Sequence, residues 1–138
     1  MALGKERGVT DTTFETIRRL DVDRLSATGP GERFSQMLLD HSSGAQTCTV
    51  NYIRTPPGGG SPAGLHVHSV DQIFYVLEGR MNIEVDGVED VADAGSLVVF
   101  PAGVPHRNWN GGSEPTVHLA FNTPLPDPGE VFARPVER

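Results

Sequence analysis

The chain has a single cysteine, Cys48, so no internal disulfide can form, and this usage suits a reducing compartment. Positive charge is also scarce: 11 lysine and arginine residues face 18 acidic ones, a formal net charge of -7, with no basic cluster. Nucleic acid and anionic membrane surfaces are therefore poor partners. No apolar run approaches the roughly 20 residues needed to span a bilayer. The N-terminus, Met1-Ala-Leu-Gly-Lys-Glu-Arg7, is too polar for a secretory signal. These absences together predict a cytoplasmic protein. Length adds a bound of its own, since 138 residues suffice for one domain with a packed core and not for two of ordinary size.

Two short stretches carry the chemistry. The first, from Gly60 to Gly79, contains His66-Val-His68 and Gln72, followed by Ile73-Phe-Tyr-Val-Leu77. Alternate side chains of a strand share a face, so His66, His68 and Gln72 would project to one side and offer two imidazoles and an amide. The β-branched and aromatic residues around them favour a strand buried on both faces, inside a sandwich or barrel. The second stretch, from Gly95 to Asn110, is a short apolar strand, a Pro101-Ala-Gly103 turn and a third imidazole, His106. Alone, His106 would be read as an ordinary satisfied histidine. Next to the His66/His68 pair it is a third candidate ligand.

The pattern resembles the two motifs of the cupin family. The first, G(x)5HxH(x)3,4E(x)6G, is met from Gly60 to Gly79 except that Gln72 stands where the family has glutamate, and the second, G(x)5PxG(x)2H(x)3N, is met in full from Gly95 to Asn110. The resemblance implies an all-β, double-stranded β-helix (jelly-roll) barrel. It also implies one divalent transition metal, zinc, manganese, iron, nickel or copper, held by His66, His68, Gln72 and His106. Cupin strands commonly pair across subunits, and the Val67, Ile73, Tyr75, Leu77 face calls for cover, so a homodimer is expected.

The remaining chain divides into an N-terminal extension (1–30), the barrel (31–124) and a C-terminal tail (125–138). In the extension, the Phe14/Ile17 spacing suits a helical turn while Asp21-Val-Asp23 suits extended chain, and the two stay open. Strands are expected over Glu32–Asp40 and Gln46–Arg54, the second presenting Thr47, Thr49, Asn51 and Ile53 on one polar face. Asp86-Gly87 marks a hairpin after Met81, Ile83 and Val85. A later strand, Thr116–Asn122, puts His118, Ala120 and Asn122 on one side, making His118 the candidate acid/base residue. Three prolines within Pro124-Leu-Pro-Asp-Pro128 predict an irregular tail that packs on a partner subunit.

Gln72 in place of glutamate changes the electrostatics in a definite direction. Three neutral imidazoles and a neutral amide leave a divalent ion its full +2 charge, where glutamate would leave +1. The ion is then a stronger Lewis acid, favours anionic ligands and resists oxidation. Phe74, Val76, Tyr52, Met37, Trp109 and Phe121 are the expected pocket walls, a lining suited to a small, aromatic or otherwise apolar organic substrate with an enolisable carbonyl. The leading expectation is thus a metal-dependent enzyme of the polyketide cyclase, isomerase or lyase kind acting on an enolisable substrate. A dioxygenase of the quercetinase kind is the first alternative, and a non-catalytic ligand-binding barrel the second. A sugar-phosphate role ranks lower, because only Arg80 and Arg107 lie near the motifs to hold a phosphate.

Overall fold

Alternation with a period of two residues accounts for most of the architecture. The computed structural model describes residues 15–60 and 64–136. In order, they form helix α1 (Val22–Ala27) and strands β1 (Phe34–Leu39), β2 (Thr49–Thr55), β3 (His66–Val67), β4 (Asp71–Glu78), β5 (Arg80–Val85), β6 (Val88–Asp93), β7 (Leu97–Phe100), β8 (His106–Trp109), β9 (Thr116–Thr123) and β10 (Arg134–Pro135). The strands make two five-stranded sheets ordered β1-β2-β9-β4-β7 and β10-β3-β8-β5-β6. This is the expected all-β jelly roll. No helix among the described residues is long and apolar enough to cross a membrane.

In β4, Gln72, Phe74 and Val76 are buried while Tyr75 and Leu77 are exposed, as the pleat requires. β9 repeats the pattern with His118, Ala120 and Asn122 buried between less buried Leu119 and Phe121. The inward apolar residues meet in one core of Ile53, Phe74, Val76, Met81, Ala92, Val98, Phe100 and Ala120. Phe74 and Phe100 pack edge to face at 4.9 Å there, the arrangement aromatic quadrupoles prefer.

Turn chemistry fixes how the strands are joined. Asp86 and Gly87 both have positive φ, 51° and 83°, the primed turn that suits a two-residue hairpin between β5 and β6. Gly79, between β4 and β5, has φ 81°, and a Cβ there would stand 2.7 Å from the Pro115 carbonyl oxygen. The undecided N-terminal stretch contains α1, capped by the Asp21 side chain, which accepts from the Arg24 amide at 3.0 Å. Arg24 in turn lies over the Phe34 ring at 4.3 Å and ties α1 to β1. Phe14 lies outside the described residues.

Two expectations need correction. The stretch from His66 to Leu77 is not one strand: His66 and Val67 belong to one sheet, Asp71–Glu78 to the other, and His68-Ser-Val70 crosses between them. The Gly103 amide donates to the His68 carbonyl at 2.9 Å and pins that crossing. The tail predicted to be irregular contains a short strand, β10, in which Arg134 and Pro135 pair with Val67 and His66.

Phe100 is fully buried and Val99 is 47% exposed on the outer face of the same strand. Phe100→Ala should lower the unfolding free energy by about 3–5 kcal/mol. Val99→Ala should change it by no more than about 0.5 kcal/mol. Urea unfolding of the two variants checks the assignment of faces, and equal losses would contradict it.

Candidate metal centre and its cavity

His66 and His106 sit directly opposite each other across the β3/β8 pair, and His68 follows at the start of the crossing. The three ring centroids are separated by 4.3 to 4.9 Å. Their candidate ligand nitrogens lie within 4.8 Å of one another, and all three residues are buried. Strand parity predicted His66, His68 and Gln72 on one face of a single strand, with His106 supplied by a separate segment. His66 and His106 meet instead across neighbouring strands of one sheet, and Gln72 is brought to them from β4 of the other.

Each ring's tautomer follows from the hydrogen bond its Nδ1 makes. The His68 Nδ1–H donates to the Phe132 carbonyl at 2.9 Å, His106 Nδ1–H to Val104 at 3.1 Å, and His66 Nδ1–H more weakly to Gly64 at 3.4 Å. With those protons placed, the three Nε2 atoms carry bare lone pairs. His106 Nε2 is buried without a hydrogen-bond partner. Phe132 also stacks on the His68 ring at 4.1 Å and 21°, and Phe100 stacks on His106 at 4.3 Å and 24°.

Gln72 is oriented by a chain of amides. Asn122 Nδ2 donates to Thr49 Oγ1 at 2.9 Å, so Asn122 Oδ1 is free to accept from Gln72 Nε2 at 3.1 Å. Gln72 Oε1 is thereby turned toward His68 Nε2, 3.1 Å away. Two acceptors then face each other, the amide oxygen and the imidazole lone pair. A cation bound by both removes that conflict. The donor set of three neutral imidazole nitrogens and an amide oxygen fits a divalent first-row ion.

Burial keeps these rings neutral. Desolvation lowers the proton affinity of His66 and His68 and brings His106 down to about 4, with His66 and His68 adding to the effect. His118 is brought down to about 3 by burial and then by the charge of Arg33. Neutral imidazole is the form that ligates a metal.

The histidines open into a cavity of about 320 Å³. Of the expected walls, Phe74 and Met37 line it, together with His66, His68, Gln72 and His118. Tyr52, Val76, Trp109 and Phe121 do not. Tyr52 and Phe121 alternate with the inward Asn51, Ile53, Ala120 and Asn122, so they lie on the outer face of their sheet, where Tyr52 meets the Phe34 ring edge-on at 6.0 Å. Trp109 alternates with His106 and Asn108 and faces out beneath Arg107, whose guanidinium is 4.3 Å from the Trp109 ring. Val76 points inward but is sealed in the core. His106 contributes its ring to the ligand cluster without appearing in the cavity wall. Asn51 and Asn122 line the cavity from the faces of β2 and β9 on which strand parity places them, while Arg33, Asn108 and Phe132 line it unforeseen. Phe132, in a proline-rich tail 64 residues from His68, carries no local signal. Arg107 pairs with Glu84 at 2.8 Å and Arg80 with Asp93 at 2.9 Å, and neither lines the cavity.

Two measurements follow from this geometry. In metal-free protein, Gln72→Glu would set a buried carboxylate against Asn122 Oδ1 and should cost about 1–3 kcal/mol. Excess zinc should recover that loss, and melting curves with and without zinc would test both parts. The second concerns pH. His106 and His118 bind protons in the folded state only near 4 and 3, against 6.5 for an ordinary histidine. Their neutral burial therefore favours folding above pH 6.5, and this advantage is lost as pH falls toward 4. At pH 5 the loss is about 2 kcal/mol per histidine. Urea unfolding of metal-free protein at pH 7 and pH 5 should show it, with a smaller drop in His118→Gln.

Residues 51–122 match the family model of the cupin domain. The chain is 32% identical over 98 residues to germin-like protein subfamily 2 member 2 of Arabidopsis thaliana, covering 65% of this chain and 44% of that protein. It is 29% identical over 128 residues to the rhicadhesin receptor of Pisum sativum, covering 88% and 52%. The chain thus spans about half the length of these curated relatives. Among solved structures, the polyketide cyclase RemF from Streptomyces resistomycificus superposes with a TM-score of 0.64 at 25% identity, covering 78% of this chain and 72% of that one. A cupin 2 domain-containing protein from Halorhodospira halophila superposes with a TM-score of 0.65 at 17% identity, covering 80% and 74%, a likeness of fold alone. With both motif histidine groups inside a jelly roll and the family model matching residues 51–122, the chain belongs to the cupin family.

Proposed function

We propose that this cupin is a metal-dependent enzyme acting on a small, enolisable carbonyl substrate, in the manner of a cyclase, isomerase or lyase. The observation that carries this reading is the cluster of three buried, neutral imidazoles whose candidate ligand nitrogens lie within 4.8 Å of one another, with the Gln72 amide oxygen 3.1 Å from His68 Nε2. A divalent metal held by His66, His68, His106 and Gln72, with zinc or manganese favoured by the neutral shell, would supply Lewis-acid polarisation of a substrate oxygen. The 25% identity to a polyketide cyclase supports the same class of substrate.

The chain's own residues have separate tasks in this proposal. Phe74 and Met37 supply apolar walls, and Phe132 covers the metal end through its stack on His68. Asn122 and Thr49 hold Gln72 with its oxygen toward the histidines. His118 was the candidate acid/base residue. Held neutral with a pKa of about 3, it is a weak base near pH 7, and we assign it hydrogen bonding to the substrate.

The outer face of β4 and β7 leaves Tyr75, Leu77, Leu97 and Val99 exposed, and we include in the proposal that a second copy covers it in a homodimer. A cytoplasmic location belongs to the same proposal, in keeping with the lone, unpaired Cys48.

The test is exchange of the α-protons of a phenyl β-diketone with deuterium, followed by NMR. Metal-loaded protein should accelerate exchange at least about tenfold over His106→Ala, consistent with general acid–base and Lewis-acid contributions of that order or larger, and equally under argon and air. Dioxygen uptake coupled to loss of the diketone would make the protein a dioxygenase instead. Binding without exchange or uptake would leave a ligand-binding barrel.

A further inference from the structure

The cavity has a second polar end that the metal ligands do not use. On β9, Asn122 marks the level of Gln72, and His118 lies four residues away at the level of Ile53 and Val76, roughly 13 Å along the strand. Arg33 stands just before Phe34, which pairs with Arg54 of β2, and so reaches the cavity at the His118 end. Asn51 lies between the two ends, paired with Ala120 and Met37.

His118 is 1% exposed, and neither of its ring nitrogens has a hydrogen-bond partner. Asn51 Oδ1 is also buried without a donor. Leaving such groups unpaired costs about 1–3 kcal/mol each. Arg33 makes no hydrogen bond or ion pair among the described residues, and it is close enough to lower the proton affinity of His118 by charge. Among the described residues lining the cavity there is no aspartate or glutamate, although the chain as a whole carries a net charge of -7. The cavity is thus a positive pocket in an acidic protein.

We propose that Arg33 and His118, at the end of the cavity remote from the metal ligands, form a carboxylate-binding subsite, with Asn51 beside them toward the middle of the cavity, so that the substrate is an organic acid. The Arg33 guanidinium pairs with one carboxylate oxygen, the single N–H of neutral His118 donates to the other, and Asn51 Oδ1 accepts from a hydroxyl on the body of the molecule. One cation and one imidazole N–H match a monoanion with two oxygens better than a doubly charged phosphate. The subsite rests on the metal-centred reading only for what happens at the other end of the substrate.

The test compares 4-hydroxycinnamate with its methyl ester by titration calorimetry, on wild-type protein and Arg33→Gln, each with zinc bound and after zinc removal, with metal content measured alongside. Wild-type protein should bind the acid about tenfold more tightly than the ester, the order expected for one charge-assisted pair, and should do so with and without zinc. Arg33→Gln should lose that preference while its metal content stays unchanged. Equal binding of acid and ester, no binding of either at millimolar concentration, or a preference that survives Arg33→Gln would overturn the subsite. A preference present in wild-type protein that holds no metal would sustain it while removing the metal-centred function.

Discussion

The hydrogen bonds from imidazole Nδ1–H groups to backbone carbonyls are the constraint on which the site depends. Each one selects the tautomer that leaves Nε2 bare, and burial keeps that nitrogen unprotonated. Without them, three buried histidines within 5 Å would be free to rotate, protonate or donate to one another. The carbonyl acceptors come from Gly64, Val104 and Phe132, in a loop, a turn and the C-terminal segment. The site therefore needs the whole barrel closed, including the short β10 strand that brings Phe132 to His68.

The amide chain Thr49–Asn122–Gln72 plays the equivalent part for the fourth donor. It spans three adjacent strands of one sheet, β2, β9 and β4, so register across that sheet decides which end of the Gln72 amide faces the histidines. A one-residue slip would put Asn122 on the outer face. Positioning and folding are here the same problem, because buried polar groups must find partners wherever the register places them.

Much of this was legible in the chain itself, and the reasons it failed elsewhere are specific. The two histidine groups were readable because their spacing places the ligands at fixed points of a strand and a turn. Phe74 followed from parity with Gln72. Tyr52 and Phe121 were misplaced because they were chosen for size rather than parity, although the same alternation that put Asn51 and Asn122 inward excludes them. Trp109 went wrong the same way, one residue past Asn108. The break between β3 and β4 was hidden because His68-Ser-Val70 has no glycine or proline to announce it. Phe132 and Arg33 reach the cavity only through long-range pairing, of β10 with β3 and of β1 with β2, which a local pattern does not encode.

The proposed chemistry depends on the metal centre. The most direct measurement is the metal-to-chain ratio, by plasma mass spectrometry, of wild-type protein and His106→Ala after reconstitution with zinc or manganese and removal of free ion. The converging Nε2 lone pairs predict about one ion per chain in the wild type, as for a mononuclear site, and near none in the variant. A wild-type protein that takes up no metal, or a His106→Ala protein that retains it in full, would contradict the central claim.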